Sequence, residues 1–334
     1  MNLFKIFDKK EKWSNFSGNI NILSDLTESD IPKIIAEKNI HSLQLYQFQN
    51  PQKQTWRTLN EFFLKYPDIG LRILWYEAQD LSFFKEIPNV RKFTIASFNT
   101  SDYSQLQYNT NLKHFGIEET KSTAVNISFI KEFKDLESLY VDGMKKGLDN
   151  VQFLKNLKKL TFRGIKMDNL DFLSGLKNLE ELNLLFGSYK NLESLSNLKQ
   201  LKFIEFSRVR QIPNYDFLIS LENLEKIEFE GMSKMEEIPS LSKLTKLKRI
   251  HINNNVRLRN IESISQIPNL KLFQLSFAEN SKVAERRNLI EQSIKILLES
   301  DTIEYSNIML WTDELTTKKL LEKGIKVWKW GMEL

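Results

Sequence analysis

One spacing limits what this chain can fold into. From Leu176 to Phe206 it reads LKNLEELNLLFGSYKNLESLSNLKQLKFIEF, and Leu176, Leu179, Leu182 and Leu184 return 22 residues later as Leu198, Leu201, Ile204 and Phe206. With L standing for any large apolar residue, the pattern L-x-x-L-x-L extends in both directions. It fits Leu71/Leu74/Tyr76, Val90/Phe93/Ile95, Leu112/Phe115/Ile117, Leu136/Leu139/Val141 and Leu157/Leu160/Phe162. It continues through Leu179/Leu182/Leu184, Leu201/Ile204/Phe206, Leu224/Ile227/Phe229, Leu247/Ile250/Ile252 and Leu270/Phe273/Leu275. The steps between first members are 19, 22, 24, 21, 22, 22, 23, 23 and 23, and Ile40/Leu43/Leu45 stands as an earlier candidate. A period of this length marks a repeat architecture.

The change of spacing inside each unit has a mechanical reading. L-x-L has period two, so both residues point to one side of a strand. The leading L-x-x-L-x-x-L has period three, which suits a tight 3₁₀ turn feeding that strand. One strand and one turn are too small to bury their own apolar face, so neighbouring units must stack to make a core.

On these residues the chain resembles the leucine-rich-repeat family, closest to its 22-residue, internalin-like bacterial class, over about Leu71–Leu275. The resemblance implies an α/β solenoid: an arc with a parallel sheet on the concave side and short helical or 3₁₀ turns on the convex side. It also implies an asparagine three residues after the last strand leucine, satisfying backbone groups between coils. Only Asn255 supplies one; Gly187, Ile165, Val209, Met232, Met144, Thr120 and Phe98 stand elsewhere. The stacking register is therefore expected to rest on apolar packing.

Solenoid ends need caps. Residues 1–70 are expected to form the first, with a degenerate repeat at 40–45 and a helix over Thr55–Tyr66 whose stripe is Trp56, Leu59, Phe62 and Phe63. Repeats fill 71–280. Residues 281–334 are expected to form an αβαβ cap continuous with the coil: a helix over Val283–Ser300, a strand over Ile303–Trp311, a helix over Asp313–Lys323 stopped by Gly324, and a strand over Ile325–Trp330.

Composition removes several functions. There is no cysteine, hence no thiolate metal site, no thiol nucleophile and none of the cysteine chemistry of repeat-bearing ubiquitin ligases. The start, MNLFKIFDKKEKW, lacks the unbroken apolar run of a secretory signal, and no stretch approaches 18 apolar residues, so a cytoplasmic protein with no membrane contact is expected. The three histidines, His41, His114 and His251, are far apart in sequence, and no Gly-rich phosphate loop or nucleophile elbow occurs. Neither a cofactor nor a catalytic residue is expected. The net charge of +5 from 48 basic and 43 acidic residues leaves the charges nearly balanced.

What remains is the set of strand residues alternating with the core leucines. On the concave face this reading places Trp75, Glu118, Tyr140, Asp142, Arg163, Asn183, Phe186, Phe203, Glu205, Glu228, Glu230 and His251. Large aromatics on a face that folding does not require are typical of binding hot spots. Acids modestly outnumber bases there, whereas a nucleic acid would want a basic stripe with stacking rings. The expectation is a non-enzymatic module that is monomeric when free and grips another protein. The alternative is a catalytic or nucleic-acid-binding C-terminal segment carried on the repeats, motivated by Trp311, Trp328 and Trp330 beside Lys326 and Lys329.

Overall fold

The computed structural model describes residues 11–278 and 281–329, so Trp330 and the first ten residues lie outside the described part. The chain divides into two compact units, residues 1–157 and 158–334.

The first unit begins with a hairpin that the repeat pattern did not predict. Strands β1 (Trp13–Phe16) and β2 (Asn19–Ile22) run antiparallel across the two-residue turn Ser17–Gly18. Both turn residues have positive φ, +49° and +87°, the geometry that matches the twist of paired strands. A Cβ on Gly18 would lie 1.9 Å from the Asn39 carbonyl oxygen, so only glycine fits. Then follow α1 (Ile31–Ile35), β3 (Ser42–Leu45), α2 (Lys53–Lys65), β4 (Gly70–Trp75), β5 (Lys92–Ser97), β6 (His114–Ile117) and β7 (Ser138–Asp142). From β2 to β7 each strand pairs in parallel with the next. The stripe Trp56, Leu59, Phe62 and Phe63 of α2 is buried, as its spacing predicts.

The first repeat is the place where the pattern misleads. In ILWY every residue is apolar, so two registers fit equally well. Pairing decides: Leu71 lies opposite Phe93 and Ile73 opposite Ile95. Leu71, Ile73 and Trp75 are therefore the inward set, while Tyr76 is outside, stacked on Phe98 at 5.4 Å. The step from Leu71 to Phe93 is then 22, and the irregular first step of 19 disappears.

The second unit contains β8 (Lys159–Arg163), β9 (Lys166–Met167), β10 (Glu181–Leu185), β11 (Ser188–Tyr189), β12 (Phe203–Ser207), β13 (Lys226–Glu230), β14 (Arg249–Asn253), β15 (Leu272–Ser276), α3 (Val283–Glu299), β16 (Tyr305–Ser306), α4 (Glu314–Glu322) and β17 (Lys326–Val327). The strands β8, β10, β12, β13, β14, β15, β16 and β17 pair in parallel in that order, and β9 pairs with β11 beside them. The two short cap strands thus extend the sheet. The expected strand over Ile303–Trp311 is cut to two residues and followed by a 3₁₀ turn. Asn307 ends it: its side-chain oxygen accepts from Leu275 N at 2.9 Å and its amide donates to Leu275 O at 3.0 Å, so the main chain of Leu275 is bonded by a side chain rather than by another strand residue.

In both units the inward pairs from β5 to β15, Phe93/Ile95 through Phe273/Leu275, are at most 2% exposed. The period-three leucines are explained by backbone bonds of the same period. Leu176 N donates to Leu173 O, Leu179 N to Leu176 O, Leu198 N to Leu195 O and Leu201 N to Leu198 O, at 2.9–3.2 Å.

Register does not rest on apolar packing alone. Asn255 does what the resemblance implies: its oxygen accepts from Met232 N at 2.6 Å and its amide donates to Phe229 O at 3.0 Å. A second asparagine ladder precedes the leading apolar residue of several repeats. Asn111, Asn156, Asn223 and Asn269 donate to the carbonyls of Pro88, Lys134, Lys199 and Thr245 one coil earlier. The dipeptide Asn-Leu, present in TNLKHF, KNLKKL, ENLEKI and PNLKLF, is its sequence trace.

Candidate functional site

Alternation along a strand puts every second side chain on the open face of the sheet. In the first unit this face is partly occupied by the protein's own groups. Arg72 on β4 reaches across β5 to Glu118 beyond β6, with one guanidinium nitrogen 3.0 Å from both carboxylate oxygens. Gly116, the outward residue of β6, leaves room along that path; a Cβ there would meet Thr94 Oγ1 at 3.0 Å. Glu118 is thus already matched by a cation. Tyr140 and Asp142 lie on β7 at outward positions, half-buried. Trp75 is a correction: it is 3% exposed, its indole N–H donates to Phe48 O at 3.0 Å, and its ring meets Trp56 and Phe83. The one-residue register shift of β4 carries it into the core.

In the second unit the outward residues of β12, β13 and β14 meet side by side. Register places Glu205 opposite Glu228 and Glu228 opposite His251, with Ser207 opposite Glu230. Glu228 has Lys226 Nζ at 2.6 Å and His251 Nδ1 at 3.8 Å. Its burial works against ionisation, but the hydrogen bonds and charges of His251 and Lys226 outweigh that and hold its carboxyl below the usual range. Glu230 accepts from Ser207 Oγ at 3.1 Å. Glu205 differs. It is half-buried, no hydrogen bond or ion pair reaches its carboxylate among the described residues, and its like-charged neighbours are Glu228 and Glu230. Burial, then the charges of those two acids, push its carboxyl above the ordinary range.

Asn183, also expected on the open face, is only 6% exposed. It is a short side chain lying flat to donate to Thr161 Oγ1 at 3.1 Å, with Glu205 alongside on the next strand. Phe203 faces outward under Lys226, whose Nζ is 4.5 Å from the ring centre. Around it opens a cleft of about 380 Å³ lined by Lys202, Lys226, Lys248, Arg249 and Lys271 against Glu225 and Glu304. The entering edge of this face is therefore basic and its middle acidic. Among the described residues no three His, Asp or Glu side chains converge as a metal site would need, and no helix is long and apolar enough to cross a membrane.

No known family profile matches the chain, and no curated protein does. Among solved structures, an internalin from Listeria monocytogenes aligns with a TM-score of 0.52 at 17% identity, over 81% of this chain and 84% of that one. The fold is that of a leucine-rich-repeat protein of the internalin kind. Internalin C2 of the same organism is a looser match, with a TM-score of 0.41 at 19% identity over 52% of this chain and 74% of that one.

The leucine-rich-repeat frame exposes a second group, just past the strand ends. The fourth residue after the first inward one adopts left-handed backbone in repeat after repeat: Gly164, Phe186, Arg208, Gly231 and Asn254 in the second unit, with φ between +52° and +67°. Glycine and asparagine accept this conformation; for Phe186 and Arg208 it costs roughly 1–2 kcal/mol each. Phe186 is 43% exposed, and its ring is flanked by the guanidinium carbons of Arg163 at 5.1 Å and Arg208 at 5.2 Å. Arg208 in turn passes over Gly231, where a Cβ would lie 2.8 Å from its Cγ. Of the residues expected from sequence, the leucine-rich repeats thus gather Phe203, Glu205, Glu228, Glu230 and His251 into one group, and Arg163 and Phe186 into another. Arg208, Lys202, Lys248 and Lys271 escaped the strand alternation because they lie immediately outside the strands. In the C-terminal segment the Trp311 ring packs edge-on against Phe277 at 5.4 Å.

Proposed function

We propose that this leucine-rich-repeat protein is a non-enzymatic binding module that holds another protein on the open face of its sheet. The observation that carries this reading is Glu205: a half-buried carboxylate in the middle of the face, beside Glu228 and Glu230 of the adjacent strand, with no hydrogen bond or ion pair reaching it among the described residues. Folding gains nothing from such an arrangement. A partner that lays a lysine or arginine there supplies the missing charge in a desolvated place, where it counts most. Parallel strands on a packed core present that face already ordered, which lowers the cost of association. The mixed face, basic along one edge and acidic at its centre, favours a protein over a nucleic acid, which would need a continuous basic track. The module is monomeric when free.

The test is capture from a lysate of the cells that encode the protein, with retained proteins identified by mass spectrometry. Wild type is expected to retain a specific partner that high salt releases, and Glu205→Lys to lose it while melting at the wild-type temperature or above. Identical capture by both, or capture of nothing specific by wild type, contradicts the reading.

A further inference from the structure

We propose that the rim around Phe186 is a second docking site, one that takes an acidic polypeptide segment bearing an apolar side chain. This site is independent of the open face. Phe186 and Arg208 stand where Gly164, Gly231 and Asn254 hold the same left-handed turn. Two successive repeats therefore keep bulky side chains in a conformation that bulky side chains avoid, and such outliers gather at ligand contacts. The strain places a ring in solvent and holds it between two guanidinium groups. Stacking uses the flat face of Arg208 and leaves N–H donors at its edge, the geometry that suits carboxylates.

The neighbouring row adds charge. Lys166, Ser188 and Arg210 are in register across β9, β11 and the bridge beyond them, two residues past the stacked row. Lys166, Arg208 and Arg210 are exposed, and none of them has an ion pair among the described residues. An exposed aromatic beside Arg208, Arg210 and Lys166, cations without an ion pair among the described residues, is complementary to acids flanking an apolar residue. Phosphate alone would use the cations and leave the ring idle.

The probe is a fluorescein-labelled peptide of sequence EDELFDED, followed by anisotropy at low salt against the full chain. A peptide with serine in place of its Leu-Phe pair and an oligothymidylate of equal charge serve as comparisons. Wild type is expected to bind the apolar-bearing peptide at least about tenfold more tightly than either comparison. Phe186→Gly and Arg208→Ala are each expected to lose about tenfold. Glycine is the residue this turn prefers, so Phe186→Gly should melt at the wild-type temperature or above, which separates binding from folding. Glu205→Lys should leave peptide binding intact, so this site and the open face fail or stand independently. The proposal is overturned if wild type does not bind the peptide, if Phe186→Gly binds it equally well, or if the oligothymidylate binds as tightly. A lower melting temperature for Phe186→Gly with binding unchanged would make the ring a structural element and overturn it too.

Discussion

Replacing Leu182 with alanine tests the stacked-coil account at its centre. Leu182 is fully buried, with Leu160 and Ile204 as its register partners on the two adjacent strands. The substitution removes three carbons, about 2.4 kcal/mol of transfer free energy at about 0.8 kcal/mol each. Both neighbours are pinned by parallel ladders and cannot close the void, so a cavity cost adds to this, for a total of about 3–5 kcal/mol. Urea unfolding with an unchanged slope would measure it. Because each coil leans on its neighbours, hydrogen exchange should lose protection first in β8, β10 and β12. Glu205→Ala, one strand away on the open face, should cost less than about 0.5 kcal/mol. Equal losses at the two sites would show that inside and outside had been exchanged.

Two further outcomes follow from the side-chain contacts. Asn255→Ala leaves Met232 N–H and Phe229 C=O without their partner and should cost about 2–4 kcal/mol, whereas Asn156→Ala, at an exposed corner where water replaces it, should cost under about 1 kcal/mol, both read from chemical denaturation. Adjacent glutamates should show opposite pH dependence. The raised Glu205 carboxyl makes its ionised form a burden on the fold, so Glu205→Gln should be more stable than wild type at neutral pH, with the difference vanishing as pH falls below the ordinary glutamate range. The lowered Glu228 carboxyl contributes stability while ionised, so Glu228→Gln should be less stable at neutral pH, with that deficit fading on acidification through the folded-state pKa. Thermal melts of both variants between neutral and acidic pH give the two signs, and a shared sign would contradict the arrangement.

The inward set of nearly every repeat was legible because one physical rule governs it: a strand covered on one side alternates, and the leucines cannot be moved without exposing the core. Leu71–Tyr76 was not legible by alternation alone, since apolar residues fill both registers; the 22-residue distance to Phe93 is what selects the correct one. The hairpin of β1 and β2 was signalled only by Ser17–Gly18 before the alternating NINI, a cue outside the repeat. The site was harder to read than the fold. Alternation tells which side a residue faces but not who meets it there, so the Arg72–Glu118 pair and the flat Asn183 appear only in the structure. The rim could have been found by aligning the residue after each repeat strand from β7 to β14, where Phe186 and Arg208 interrupt Gly143, Gly164, Gly231 and Asn254.

The chain has no cysteine, so single cysteines can be placed one at a time along β13 and their reaction with a thiol reagent followed under native conditions. Lys226→Cys, Glu228→Cys and Glu230→Cys should react readily, while Ile227→Cys and Phe229→Cys should be slower by about 100-fold or more, because their thiols become accessible only when the coil opens. Uniform rates along the strand, or fast reaction at 227 and 229 with protection at 226, 228 and 230, would contradict the account.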